Sequence, residues 1–339
     1  MTIVQVTPFY EPHVGGVETH IKEVSAVLQA DGYQVSVVTQ QHDQSLPLEN
    51  KVNEVTVLRI PRAFFSPSTS KLKIWRWVWR NRSVFMHADI VHVHDVMWWL
   101  WPILPLIEDK VFITFHGWET QYPVRWQAKL HRLLNSKLAR GTVHVGDWIK
   151  EFYWDKPDAV TYGGVTRSKV PSMPNTDTFV FLGRLSADND VPKYIELVKQ
   201  LKKVYHKLKM TWVGDGPLRK SCEQVGKVTG FVDDPQTYLQ SGSFVFTSSY
   251  LSMLQAQALE KVVCSFYSNP LKKRYLETYP GFAYILASDN AEEMTKKVSV
   301  IFDTTAIDSL QQPAAEFASQ QTWEKVKTMY EDLWRKINI

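Results

Sequence analysis

The chain alternates short, continuous apolar runs with longer stretches in which apolar residues recur every three or four positions. The runs "TIVQVTPFY", "YQVSVVTQ", "VTVLRI", "DIVHVHDV", "KVFITFHG" and "TVHVGD" have strand length, and "GVETHIKEVSAVLQADG" between the first two carries a helical stripe. Runs that stay apolar at every position belong to strands buried on both faces, as in a parallel sheet covered by helices. The periodicity stops at "TYGGVTRSKVPSMPNTDT", whose Gly, Pro, Ser and Thr read as a linker. It resumes with "FVFLGRL", the helical "VPKYIELVKQLKKVYHK", "LKMTWVGDG", "KVTGFV", "PQTYLQSG", "SFVFTSS", "SYLSMLQAQALEKVV", "VVCSFY" and "AYILAS". A last helical stripe runs through "FASQQTWEKVKTMYEDLWRKI".

The pattern predicts an α/β protein of two Rossmann-like, doubly wound domains that face each other across a cleft. The boundaries read as 1–165, a hinge over 166–178, 179–316, and a closing helix over 317–339 that is free to pack back on the first domain. A length of 339 residues, more than one core usually supports, agrees with two domains.

Composition changes this picture little. A formal charge of +4 is far from the dense basic surface of a nucleic-acid binder, and suits anionic small molecules or an anionic membrane face. Cys222 and Cys264 have neither metal-site spacing nor the number of a disulfide framework, so a reducing cytoplasm is expected. The opening "MTIVQVTPFY" reads as a strand rather than a secretory signal, and "VMWWLWPILPLI" is too short to span a bilayer and is broken by Pro102 and Pro105.

Ligands of doubly wound sheets bind beyond the carboxyl ends of the strands. Four stretches fall there. Gly15 and Gly16 open a helix whose N–H groups suit phosphate, although a tight strand-to-helix turn explains them equally. His116 and Glu119 follow the strand "FITF", Gly183 and Arg184 follow "FVFL", and Gly214 opens "GDGPLRK".

In this order, "GGVETH", "ITFHG", "YGGV", "FLGRLS", "WVGDGPLR", "GFVDD", "SYLSMLQAQALEKVV" and "TWEKVKTMYEDLW" resemble the retaining glycosyltransferases of the GT-B fold, family 4 type. The resemblance spans nearly the whole chain. It implies a nucleotide-diphosphate sugar as donor, held mainly by the second domain, and a glycan or lipid-linked acceptor taken by the first. It implies neither metal nor other cofactor, and no nucleic-acid partner. By resemblance His116 stands beside the transferred sugar and Arg184 touches the diphosphate. The same resemblance puts Gly15, Gly16, Gly183 and Gly214 in the loops around the donor, and Phe231 and Val232 at the nucleobase. It gives Ser249, Leu251, Ser252, Met253 and Leu254 to a helix start that faces the diphosphate. Trp98, Trp99 and Glu119 are candidates for the acceptor side.

The departures are specific. Where the family carries a lysine after "GRL", this chain has Asn189, and Gln255 stands for the ribose-binding glutamate. Gln257, Glu260 and Val262 replace the family's methionine, glycine and proline, and the first glutamate of the family pair would fall on Thr247. A neutral amide keeps the reach of Glu but loses charge-assisted strength. The second reading is therefore an impaired GT-B protein that binds nucleotide sugar or glycan without turnover. A nucleotide-sugar 2-epimerase would need acids and a histidine set for proton abstraction, and the second half offers no such set.

Drawn as a helix, residues 71–82 place Lys73, Arg76 and Arg80 on one stripe and Leu72, Trp75, Val78 and Trp79 opposite. Peripheral contact with the inner face of a membrane is one reading of this segment. The ordinary reading packs its tryptophans into the core. The same choice, aromatic platform or core, applies to Trp98, Trp99 and Trp101.

Overall fold

The computed structural model describes residues 1–65, 70–119, 121–166, 177–232, 234–303 and 307–336. The chain divides into two compact units, Met1–Thr161 with Trp323–Ile339, and Tyr162–Thr322. Most of the hinge expected over 166–178, namely 167–176, lies outside the described residues. The final helix starts at Trp323, because residues 317–319 complete the preceding helix Ile307–Ser319, which runs through Pro313.

The first unit is built on eight strands: β1 (Thr2–Val6), β2 (Gln34–Gln40), β3 (Glu49–Val52), β4 (Val55–Ile60), β5 (Ile90–His94), β6 (Val111–Phe115), β7 (Gly141–Val145) and β8 (Ala159–Thr161). Their order is β3-β4-β2-β1-β5-β6-β7-β8, parallel except for the β3–β4 hairpin at one edge. That hairpin went unread in the sequence because "ENKV" is polar. Helices Gly16–Ala30 and Trp323–Lys336 belong to this unit, joined to each other by a hydrogen bond of 2.9 Å between the Tyr330 hydroxyl and His20 Nε2.

The second unit has six parallel strands: β9 (Thr178–Leu182), β10 (Lys209–Val213), β11 (Lys227–Gly230), β12 (Phe244–Phe246), β13 (Val262–Phe266) and β14 (Ile285–Ser288), ordered β11-β10-β9-β12-β13-β14. Chain reversal of order at β9 and β12 is the switch point typical of this topology. Its core is aromatic: Phe179 stacks on Phe244 at 4.7 Å, and Phe181, Tyr194, Trp212 and Phe246 pack around them. The β-branched and aromatic runs of the sequence make these strands because such side chains fill a sheet covered on both faces. Among the described residues, no helix is long and apolar enough to cross a membrane.

Candidate functional site

Each unit presents its own set of groups at the carboxyl ends of its strands. In the first, register decides the arrangement. Gln5 lies level with His92, and His94 with Thr114, so Gln5, His92, His94 and Thr114 point to one face of the sheet. Beneath the helices on that face they form a buried polar cluster. Trp334 donates its indole N–H to His92 Nδ1 at 3.2 Å, and His92 Nε2 faces the Thr114 hydroxyl at 2.7 Å. Thr114 meets the Tyr330 hydroxyl at 3.0 Å, which meets His20 Nε2 at 2.9 Å. Indole is a donor only, so His92 accepts on Nδ1 and donates its Nε2 proton to Thr114; between Thr114 and Tyr330 either hydroxyl can donate, and the His20 tautomer follows from that choice.

A second branch reaches the candidate catalytic residue. The Gln5 carbonyl oxygen accepts from His94 Nε2 at 2.7 Å, leaving His94 Nδ1 to accept from His116 Nε2 at 2.7 Å. His116 therefore holds its proton toward the core and keeps Nδ1 as an acceptor. Burial, followed by repulsion from His92, lowers His116 to about 3, so its ring is neutral at pH 7. Its backbone N–H donates to Asp95 Oδ1 at 3.0 Å, and burial raises the Asp95 carboxyl to about 6.

The loop that follows His116 is clamped from below. Arg132, 5 % exposed, donates to the Gly117 carbonyl at 2.8 Å and to Glu119 at 3.3 Å while lying over the rings of Tyr153 and Phe115. Tyr153 also donates its hydroxyl to Glu119. Glu119 is thus held by two neighbours and stands half-exposed at the site. Trp99 is buried in the core, which corrects its place among the acceptor-side candidates. Trp98 keeps a partly exposed ring with the Lys71 ammonium 6.0 Å above it. Trp79, on the helix Ser70–Arg80, is 49 % exposed, so its core placement is corrected.

At the Gly15–Gly16 turn the structure adds an acid. Glu18 in the first helical turn is buried, pairs with His13 at 2.6 Å, and lies so close that a Cβ on Gly15 would sit 2.3 Å from its carboxylate. The helix start already has a negative group of its own, which opposes a phosphate there.

In the second unit, three strand-end loops interlock. Gly183 N–H donates to Val213, Gly214 N–H to Gly230, and Leu185 N–H to Asp215, at 2.9 to 3.1 Å. Gly214 has φ 142°, and a Cβ there would meet the Gly183 carbonyl at 2.0 Å, so only glycine fits. Arg184 projects from this knot with its side chain 58 % exposed and pairs with Asp188 at 2.6 Å. Asn189 donates its amide to the Arg184 carbonyl at 2.9 Å and so braces the arginine's backbone. A cation that the sequence reading missed, Lys272, also enters this loop, but it is bound to the buried Asp190 at 2.7 Å. Phe231 stands 62 % exposed at the end of β11, with Val232 beside it half-buried; Asp233 of the same motif lies outside the described residues.

Ser249 caps the helix Tyr250–Ala258, with its side chain accepting from Ser252 N–H. Tyr275 takes the Tyr250 N–H at 2.9 Å, so one N–H of this helix start is occupied inside the protein. Leu251 and Ser252 are half-buried at the first turn, while Met253 and Leu254 point into the core. The two glutamines separate cleanly. Gln257 is fully buried, accepts from the Tyr279 hydroxyl at 2.6 Å and donates to the Gly281 carbonyl, so it is a structural tie. Gln255 is half-exposed and makes no side-chain hydrogen bond among the described residues. Glu260, at the family's glycine position, has φ 58°, the left-handed conformation that ends the helix.

Among the described residues no group of three or more His, Cys, Asp or Glu is arranged to hold a metal ion.

Comparison with known proteins bears on the whole arrangement. Residues 14–160 match the family described as Glycosyltransferase Family 4. An uncharacterised glycosyltransferase of Methanocaldococcus jannaschii is 21 % identical, with 97 % of each chain covered. The structure is similar to sucrose-phosphate synthase from Thermosynechococcus elongatus, with TM-score 0.74, 13 % identity and 99 % of both chains covered. It is also similar to HepE of Anabaena in complex with UDP, with TM-score 0.70, 13 % identity, and 99 % of this chain and 100 % of the other covered.

Proposed function

We propose that this chain is a GT-B glycosyltransferase of the family 4 type, which moves a sugar from a nucleotide-diphosphate sugar to a glycan or lipid-linked acceptor with retention at the anomeric carbon; the family match over 14–160 and the likeness of the fold support this reading. The observation that carries this reading is Arg184, an exposed cation held by a rigid loop at the end of the first strand of the second unit, where a departing diphosphate needs neutralising. The bond from the anomeric carbon to the diphosphate oxygen breaks as the acceptor oxygen bonds on the same face, and the acceptor's proton passes to the leaving phosphate. Arg184 stabilises the growing negative charge in place of a metal, and no cofactor beyond the donor is called for.

Other side chains bind and orient. Phe231 offers its exposed ring to the nucleobase beside Val232, Gln255 reaches the ribose, and the N–H of Leu251 with the Ser249 and Ser252 hydroxyls faces the phosphates. Gly183 and Gly214 set the loop, and Asn189 fixes the Arg184 backbone. His116, neutral and of one tautomer, accepts a hydrogen bond from a hydroxyl of the transferred sugar through Nδ1, and Glu119 with Trp98 lines the acceptor side. The Gly15–Gly16 turn contributes backbone N–H groups, weakened by the carboxylate of Glu18.

The second reading, binding without turnover, is favoured by Asn189 and Gln255, which remove charge from two places where the family carries it. Thermal shift and release of nucleoside diphosphate, measured together over UDP-, GDP- and ADP-sugars, decide between them. Turnover that Arg184→Ala lowers about 100-fold supports transfer. Tight binding with no release of diphosphate under any acceptor condition refutes it.

A further inference from the structure

The lysine expected after "GRL" is absent at Asn189, but a cation returns to the same place from another strand end. Lys272 lies in the first turn of the helix Pro270–Glu277, which begins just beyond β13. In the sheet β12 stands between β13 and β9, so Lys272 reaches across the end of β12 to the loop after β9. There its ammonium donates to the Asp188 carbonyl and to Asp190 Oδ2, the latter at 2.7 Å. Those two acceptors flank residue 189, and the ammonium therefore sits beside the backbone position from which the missing lysine would extend. Arg184 pairs with the carboxylate of the same Asp188, so the two cations meet at one residue.

Asp190 is built to hold this lysine. It opens the helix Val191–Val204 at φ 56°, the left-handed region that burdens a residue with a Cβ. An aspartate at a helix start ordinarily accepts an N–H of the first turn, yet this one makes no such bond. Its buried carboxylate goes to lysines instead, Lys272 at 2.7 Å and Lys193 at 3.8 Å, so two cations share one anion. An ammonium has three donors, and the acceptors found for Lys272 among the described residues take two. Its side chain keeps 13 % of its surface exposed.

The same helix orders the other half of the donor side. One turn beyond Lys272, Tyr275 accepts the Tyr250 N–H at 2.9 Å and stacks its ring on Tyr250 at 3.9 Å. The helix Pro270–Glu277 thus touches both parts that the donor reading needs, the Arg184 loop through Lys272 and the start of the helix Tyr250–Ala258 through Tyr275.

We infer that Lys272 is the second cation for the donor's diphosphate and takes the place of the lysine absent at Asn189, a role that rests on the transferase reading. In the resting chain Asp190 holds the ammonium beside residue 189. When the donor binds, the third N–H of Lys272 meets a phosphate oxygen, and as the diphosphate departs its charge adds to that of Arg184. Asn189 then marks no loss of charge from the loop, which removes one of the two departures that favour binding without turnover.

The test removes both members of the buried pair, since Lys272→Gln alone leaves the Asp190 carboxylate without its nearest partner. Calorimetric titration of the full chain compares UDP, GDP and ADP with the corresponding monophosphates, and release of diphosphate is followed from the sugar donor of whichever base binds. In Lys272→Gln with Asp190→Asn, affinity for the diphosphate should fall about tenfold, affinity for the monophosphate should stay within about twofold, and turnover should fall about thirtyfold. Adding Asn189→Lys to that pair should recover turnover at least about fivefold, which a merely structural tie between loops would not allow. Lys273→Gln, which removes an exposed neighbour paired with Glu277, should change neither quantity. Equal losses for diphosphate and monophosphate, unchanged turnover, or no recovery by Asn189→Lys overturns the inference and leaves the transferase reading intact. A parent that binds diphosphates and never turns over refutes that reading, while the affinity ratio still decides the contact of Lys272. A parent that binds none of these nucleotides refutes both.

Discussion

The two units stack parallel strands under helices in the same way, yet they fill the space between them with opposite chemistry. The second packs Phe179, Phe181, Trp212, Phe244 and Phe246 into an apolar core; the one polar side-chain atom of the five, the Trp212 indole nitrogen, has no hydrogen-bond partner among the described residues. The first places two hydrogen-bonded chains where its core meets the strand ends, His92–Thr114–Tyr330–His20 and Gln5–His94–His116. An aromatic core tolerates pH and resents loss of volume. A network of neutral histidines tolerates neither acid nor the loss of one partner. What the first unit gains is a fixed proton position on His116, which an apolar core cannot provide.

Acid should break the comparison most strongly. His20, His92, His94 and His116 are lowered by burial first and by neighbouring rings second, His92 and His116 to about 3. In the unfolded chain each takes a proton near pH 6.5, so the unfolded state binds more protons between about 6.5 and about 3. Stability contributed by these rings is full above that window and falls with pH across it, by up to about 1.4 kcal/mol per ring per pH unit. Asp95 works in reverse: with its carboxyl raised to about 6, the folded state takes up a proton first as pH falls, offsetting about one ring. From pH 6.5 to 5 the first unit should lose about 5 kcal/mol, and calorimetry at the two values should show its transition falling well ahead of the second unit's. Coincident shifts of both transitions would show that the histidines are not neutral in the folded state.

The reciprocal break is Phe246→Ala. Phe246 is fully buried, stacked on Tyr194 at 5.4 Å and beside Phe179 at 5.6 Å, so truncation should cost the second unit about 4 kcal/mol at every pH. Chemical denaturation at pH 7.5 and 5 measures it; a loss that depends strongly on pH would contradict an apolar core.

Gln5→Leu probes the network by one atom. It removes the acceptor of His94 Nε2–H, and a buried donor without a partner costs about 1–3 kcal/mol. It also frees His94 to change tautomer, so His116 loses its fixed proton. Turnover should fall about tenfold, and affinity for the sugar donor should fall relative to that for the free nucleoside diphosphate, because the sugar hydroxyl loses its Nδ1 acceptor. Gln5→Glu, which keeps the acceptor and adds charge, should instead raise the pKa of His94 and move the acid limb of the turnover profile upward. Loss of stability with an unchanged profile in both variants would leave Gln5 a purely structural residue.

How much of this was legible in the sequence follows from the same contrast. Apolar strands announce themselves, and those of the second unit were all readable from runs such as "FVFLG" and "VVCSF". The candidate site residues on glycine turns and strand ends, His116 and Arg184 among them, were proposed by motif. Gln5 went unnoticed although a lone amide in "IVQV" is the signal a buried network leaves, and the paired histidines of "VHVH" were the same signal. Arg132 was beyond reach. Its helix, Trp126–Leu138, has the composition of an ordinary amphipathic one, and nothing local says that Leu130, Leu134 and Leu138 face outward; that depends on Gly117, Glu119 and Trp101, which meet it only in the folded chain.

The smallest effects lie on the helix Tyr250–Ala258, where two departures from the family pattern do different work. Gln255 is half-exposed and its side chain makes no hydrogen bond among the described residues, so Gln255→Glu should leave stability unchanged and strengthen donor binding by about 1 kcal/mol, roughly fivefold by calorimetric titration. Glu260 is the opposite case. Its backbone at φ 58° ends the helix in a conformation that burdens any residue with a Cβ, while its side chain is exposed. Glu260→Gly should raise stability by about 0.5–1 kcal/mol, the relief of the left-handed backbone being partly offset by the greater freedom of glycine in the unfolded chain, and should leave donor affinity where it was. A gain in affinity from Glu260→Gly, or none from Gln255→Glu, would move the ribose contact off Gln255 and with it the reading of which glutamine faces the ligand.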